Sequence, residues 1–490
     1  MHRTIAVSLA FLAPIPLIYL AVLLVGGGAF TYTLDDAYIH LALAKNIWLG
    51  HYGINLTEHS APSSSILWPF LLAPFASVPL AFEHVPLLIN AACAVCSGFL
   101  LLGIFPELGR LAAPAFALVM MMSMNLYGLV FTGMEHSLQI LLVLMTLWGL
   151  TRPEALGSSR PMAVLWWCSL CLLPLVRYEG MAISLPVLAY QYASGNRRKS
   201  VIAAGALIAA LIVFSLYLHA MGLGFVPSSV LAKSSYSNSG STFYNFLGNI
   251  QKYGFLLVPV WLICYRKIEQ GDSAFAAMLL GVSGLHFLFG KYAWYGRYEV
   301  YYVMFVVVLA LKALLQKDVR LWWIVLSLPF VFFGLVYPTV TTPWASANIH
   351  NQQALMARIA NILDEDVAVN DLGLVAFRGH RYVLDLWGLG SLEALHLRTG
   401  NAEGAVWIAN LMQKKGVHYA FVYDDWFASH PANWIKVAEL RLLQKKITAA
   451  SDVVALYATS DANAMKLRAA LGAFSKENSS DAFALSLMPH

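Results

Sequence analysis

The chain has 490 residues, 59% of them hydrophobic and 12% charged, with a formal net charge of +5. Soluble domains carry roughly 25% charged residues, so this balance excludes an ordinary soluble protein. A small positive charge confined to short loops between apolar runs likewise excludes a nucleic-acid surface. The five cysteines (Cys93, Cys96, Cys168, Cys171, Cys264) lie in or beside apolar runs. There the two CxxC spacings read as small hydrophobes in helices rather than redox or zinc motifs.

Apolar stretches near the ~20 residues needed to cross a bilayer occur at about 5–30, 85–104, 111–130, 136–150, 161–176, 180–193, 200–220, 253–265, 273–290, 300–316 and 321–338. The first of these has no small-residue cleavage site before Asp35 and reads as an uncleaved helix rather than a signal peptide. A further candidate at 66–81 contains Pro69, Pro74 and Pro79, which break a span, so it reads as an interfacial helix. Basic residues agree with that choice. Arg110, Arg152 with Arg160, Arg197 to Lys199, Arg266 with Lys267, and Lys317 with Arg320 then all face the cytoplasm. The expectation is a polytopic α-helical protein of about eleven spans over 1–340, followed by an extracytoplasmic α/β domain over 345–490. Strands are expected near 367–369, 419–423 and 453–457, helices near 351–363, 404–415 and 461–472, and a frayed tail from Lys476.

The outward loops hold the unusual polar residues. After Asp35 and Asp36, apolar Ile39, Leu43 and Ile47 form one face, predicting a short helix along the membrane surface that stops at Gly50. One carboxylate suffices for a helix cap, so two adjacent ones at a membrane boundary point to function. His59 and the serines at 60 and 63–65 precede the proline-broken segment, where hydroxyl caps are the ordinary account. Glu135 and His136 sit at the lip of a helix. Arg177 and Glu179, in VRYEG, fall between two helices with almost no loop. In KYAWYGRYEVYY, Lys291, Arg297 and Glu299 lie among aromatics that read mostly as interface-belt residues. Two cations there suit a membrane-embedded phosphate.

Together the DDAYI opening, SSSILWP, TGMEH, VRYEG, GRYEVYY and the later VNDLGLVAFRGHRYVLDLWGLGS resemble, in a consistent order along most of the chain, the GT-C glycosyltransferases. These are polytopic enzymes that use polyprenyl-phosphate sugars. Within them the chain looks most like the branch of mycobacterial terminal arabinofuranosyltransferases and related glycan- or protein-modifying enzymes. The resemblance implies a multi-pass protein of the bacterial inner membrane, with site and C-terminal domain on the periplasmic side. It carries the family's catalytic acid over to Asp35 and Asp36, and leaves open a divalent cation, which some relatives hold through such carboxylates.

The implied reaction needs a base for an acceptor hydroxyl and positive charge for a departing phosphate. Asp35 is the expected base, with Asp36 orienting it, holding the sugar or ligating a metal. Glu135, with His136, His59 and Glu179, is expected at the donor sugar, and Arg177, Lys291 and Arg297 at the phosphate. Asn370, Asp371 and Asp385 are expected to position a glycan, lipid or protein acceptor, and direct attack makes the enzyme inverting. A transporter or flippase of lipid-linked sugars should show internal repeats, which are not evident. A lipid-glycan ligase or polymerase shares the compartment without requiring paired aspartates, and a scaffold leaves the outward carboxylates unexplained.

Overall fold

The computed structural model describes residues 2–109, 112–235, 239–292, 294–315, 321–400, 404–478 and 480–489. Arg110, Lys317 and Arg320, used above to orient the loops, lie outside them. An apolar helical body is followed by a C-terminal sheet domain. By length and composition, Thr4–Val25, Val85–Ile104, Arg197–Ala220 and Phe243–Glu269 can each cross a membrane. A fifth span results if Trp323–Val331 and Phe333–Leu363, bent by 65°, count as one. The expected eleven are not reached by this measure, and six further apolar helices are shorter than 18 residues. Large apolar side chains such as Leu24, Val201, Val213 and Phe330 point outward from these helices, as a lipid-facing surface requires and water would penalise.

The proline-rich stretch forms three short pieces, Leu67–Leu72, Ala73–Ser77 and Pro79–Phe82, with Ser65 Oγ accepting from the Trp68 backbone N–H at its start. The helix expected on the membrane surface, Asp36–Trp48, is instead buried along most of its length. It lies beneath the sheet domain's helix Gly373–Arg378, and its buried Asn46 is satisfied by the carbonyls of Gly53 and Ile54. A one-sided apolar pattern is enough for a surface helix, but here Ile39 and Leu43 share a core cluster with Leu372 and Val375 of the sheet domain, and Tyr38 and Leu41 pack into the core of the helical body.

The sheet domain begins within continuous helix. Phe333–Asn351 runs through the expected boundary and is followed by Gln353–Leu363. Six strands follow: β1 (Val367–Val369), β2 (Val383–Asp385), β3 (Tyr419–Val422), β4 (Ile435–Leu442), β5 (Val453–Ala458) and β6 (Phe483–Leu487). Their order is β2-β1-β3-β5-β4-β6, with β2, β1 and β3 parallel and the remaining pairings antiparallel. The tail expected to fray is thus partly ordered, because β6 pairs with β4 from Phe483 opposite Leu442 to Leu487 opposite Ala438.

Candidate active site

The three parallel strands all run towards the helical body, and the segments beyond their carboxyl ends meet there. Asn370 and Asp371 follow β1, Trp387 follows β2, and Trp426 follows β3; these line one cavity of about 320 Å³ with Asp35, Asp36, Lys291 and Trp294 from the helical body. Ligands in open α/β sheets commonly lie outside the carboxyl ends of strands, and this volume falls in the ~300–1,000 Å³ range of small-ligand pockets.

The neighbouring aspartates have different surroundings. Asp35 is 5% exposed, and its oxygens accept the backbone N–H groups of Gly373 (2.5 Å) and Leu374 (2.8 Å). It therefore caps the first turn of a helix in the other domain, not its own. Gly373 is required for that approach, since a Cβ there would collide with the Asp35 carbonyl oxygen. Asp35 is also hydrogen-bonded to Asp371, and burial followed by the Asp371 charge raises its pKa well above the carboxylate range. Burial raises Asp371 too, against hydrogen bonds from Asp35, Gln353 and Tyr423. Asp371 accepts from Gln353 Nε2 at 2.8 Å and from the Tyr423 hydroxyl at 3.1 Å. Two buried carboxylates in contact favour sharing a proton over carrying two charges.

Asp36 is the more open of the two, its side chain 31% exposed, with the Arg297 guanidinium at 2.6 Å. Arg297 is itself buried, and its Nη2 also donates to the Tyr298 hydroxyl at 3.0 Å. Lys291 is half-buried and reaches the same cavity.

Glu135, Arg177 and Glu179 form a separate cluster outside the lining of this cavity. Arg177 Nη1 donates to Glu135 at 2.6 Å, and Nη2 and Nε form a two-point contact with Glu179 at 2.8 and 3.2 Å. His40 Nε2 lies 3.5 Å from Glu135 and its Nδ1 lies 3.2 Å from Ser63 Oγ. Arg177 and Arg297 both lie over the Tyr298 ring, at 5.3 and 4.9 Å from its centroid. His136 packs edgewise on the same ring. Glu179 alone of this group reaches a further apolar cavity of about 260 Å³, which Met181, Leu185, Leu285 and Phe289 also line.

His59 lies elsewhere, stacked on His51 in the first outward loop with Nδ1 3.1 Å from the Tyr52 carbonyl. Asp385 is buried behind the cavity, accepting from the N–H groups of Trp387 (2.8 Å) and Gly390 (2.6 Å). Burial raises its pKa to about 6 against those backbone bonds. Asn370 Oδ1 accepts from the Tyr423 N–H at 3.1 Å.

Sequence reasoning missed Trp294, Trp387, Trp426, Tyr423 and Gln353. The aromatics were visible, but a tryptophan beside an apolar run carries the same signal in a lipid belt as in a binding wall. The belt reading of KYAWYGRYEVYY is itself corrected, because Tyr298, Tyr301 and Tyr302 are buried in the protein interior. Nor do the paired aspartates fit a divalent cation as arranged. Asp35 spends both oxygens on backbone N–H groups, Asp36 faces a guanidinium, and no group of three His, Cys, Asp or Glu side chains suited to a metal occurs among the described residues.

A family model described as a domain of unknown function (DUF8728) matches residues 347–457, which lie in the sheet domain and the helix leading into it. No curated protein matches the chain. Among solved structures, the Archaeoglobus fulgidus oligosaccharyltransferase in complex with zinc and sulfate is similar at 12% identity and a TM-score of 0.44. The match covers 91% of this chain and 73% of that one. A likeness of that size is too distant to transfer an activity.

Proposed function

We propose that this protein is an integral membrane glycosyltransferase of the GT-C type, which moves a sugar from a polyprenyl-phosphate carrier to an acceptor on the extracytoplasmic side of the bacterial inner membrane. One observation supports this reading above the others. The open carboxylate of Asp36 and the ammonium of Lys291 share a cavity with three tryptophans and the Asn370 amide at the seam between an apolar helical body and a polar sheet domain. A lipid-linked donor enters from the first side and a water-soluble acceptor from the second.

In this reading Asp36, not Asp35, is the base. Asp35 is committed to backbone N–H groups and to Asp371, so it holds the two domains together. A base paired with Arg297 is weak, but displacement at an anomeric carbon passes through an oxocarbenium-like transition state and requires little proton removal early on. Asp36 accepts the proton of the acceptor hydroxyl as that oxygen bonds to the anomeric carbon, the bond to the carrier phosphate breaks, and configuration inverts. Lys291 meets the charge that develops on the departing phosphate. Arg297 orients Asp36, and the Arg177 cluster braces the ring of Tyr298 instead of binding phosphate.

The reading is tested by incubating purified protein with radiolabelled polyprenyl-phosphate sugars, an arabinofuranosyl donor among them, and an envelope glycan extract. Transfer of label out of the lipid fraction, lost in Asp36→Asn, supports it. An unconsumed carrier across the whole panel would shift the assignment to transport.

A further inference from the structure

The sheet-domain side of the cavity is built in a way that the transferase chemistry does not require. Trp387 and Trp426 form an angled wall, with ring centroids 4.5 Å apart and planes at 54°. Both are fixed from behind. The Arg398 guanidinium lies 4.0 Å from the Trp387 ring centroid, and its Nε donates to the Trp387 carbonyl at 3.0 Å. The loop carrying Trp387 is wound around the buried Asp385 carboxylate. Trp426 closes a short turn through its N–H to the Tyr423 carbonyl and packs on the Tyr423 ring.

Trp294 of the helical body, 50% exposed, lines the same cavity. It and Tyr295 take successive positive φ values, 50° and 68°, a left-handed conformation that bulky side chains avoid. Tyr295 is held there by its hydroxyl, which donates to the Pro338 carbonyl at 2.7 Å. Strain of this kind persists where the surroundings impose it, and it concentrates at ligand sites.

We propose that this wall is a saccharide platform, on which one ring of the acceptor lies against Trp387 and Trp426, so that the acceptor is itself a carbohydrate; calling it the acceptor rests on the transferase reading above. A sugar ring has an apolar face of C–H groups and a rim of hydroxyls. Indoles match the first, and the carboxylates of Asp36 and Asp371, the Asn370 amide and the Thr448 hydroxyl match the second. An extended peptide acceptor would use main-chain bonds along a sheet edge. The edge beside this cavity, β2, is closed at Val383, whose N–H and C=O are both taken by the Asn55 side chain at 3.0 and 2.9 Å.

Saturation-transfer-difference NMR on the purified protein in detergent tests this with methyl glycosides of arabinofuranose, mannopyranose and galactopyranose, alongside a serine- and threonine-containing hexapeptide. The expected result is saturation of the ring C–H protons of at least one glycoside. The signal should fall at least fivefold in Trp387→Ala and in Trp426→Ala and be largely kept in Trp387→Phe. Saturation of the peptide alone, silence from every glycoside, or signals unchanged in both alanine variants would overturn the platform. Should Trp387→Ala fail to fold, Trp426→Ala and Trp387→Phe decide the matter. A protein that binds glycosides but transfers nothing keeps the platform and loses the transferase. One that transfers sugar from a lipid donor without binding any glycoside does the reverse.

Discussion

Two carboxylate–guanidinium groups share the ring of Tyr298, and they differ in what can reach them. Asp36 with Arg297 opens on the cavity between the domains, whereas Glu135 is fully enclosed with Arg177. Sequence alone makes them look alike, since each is an outward-loop acid with a later arginine. The difference teaches that a fully enclosed ion pair is architecture, while the same pair with one open edge can carry chemistry.

The sharpest way to break this comparison is Asp36→Asn. It should cut sugar transfer per folded molecule by ~10²- to 10⁴-fold, the usual effect of losing a general base, and lower the melting temperature as well, because the buried Arg297 loses its carboxylate. A variant that keeps a tenth of the parent rate would remove Asp36 from the chemistry. Glu135→Ala should leave turnover per folded molecule near that of the parent. Arg177 keeps Glu179 but its Nη1 loses its acceptor in an enclosed site, at a cost of ~1–3 kcal/mol, so yield and melting temperature should fall. A stable Glu135→Ala protein that is catalytically dead would reverse the roles assigned to the two clusters.

Asp35→Asn separates the neighbours. The amide presents a donor where two backbone N–H groups converge, so one of them loses its acceptor at a cost of ~1–3 kcal/mol. Hydrogen exchange should rise at Gly373 and Leu374, and turnover per folded molecule should fall less than in Asp36→Asn; unchanged exchange would mean that Asp35 does not dock the domains. Lys291→Gln is expected to slow transfer by ~10- to 100-fold, the worth of one charged hydrogen bond, with binding of a free glycoside unaffected. A rate within twofold of the parent would leave the phosphate without its assigned partner.

The smallest effect concerns pH. Because Asp35 and Asp371 have raised values in the folded protein, that protein binds more protons than the unfolded chain between the ordinary carboxylate range and those raised values. The pair's contribution is therefore fully present below the unfolded value and is lost as pH rises through the folded ones. Melting curves from pH 4 to 8 should fall more steeply in the parent than in Asp371→Asn. Parallel curves would show that no proton is shared.

Much of the helical body was legible because apolar length and proline placement act locally. The breaks at Pro69, Pro74 and Pro79 and the strands at 367–369 and 419–422 needed no partner to be recognised. The mate of Asp35 was not legible. Gly373 and Leu374 lie more than 300 residues away in a helix whose N–H groups carry no mark in the sequence, and the nearest plausible role for an acid before a helix was to cap that helix.

The sequence by itself determined an apolar helical protein with a sheet domain at its end, and it nominated the acidic and basic residues of the outward loops. Those properties follow from hydrophobicity, periodicity and charge, which each segment carries alone. Only the tertiary structure decided which of them meet. It carried Asn370, Asp371 and Trp387 to the Asp36 side of Tyr298, left Glu135 and Arg177 enclosed and turned Asp35 into a clasp. The physical reason is that exposure and hydrogen-bond partners belong to pairs of distant segments, and the fate of a carboxylate is set by what packs against it.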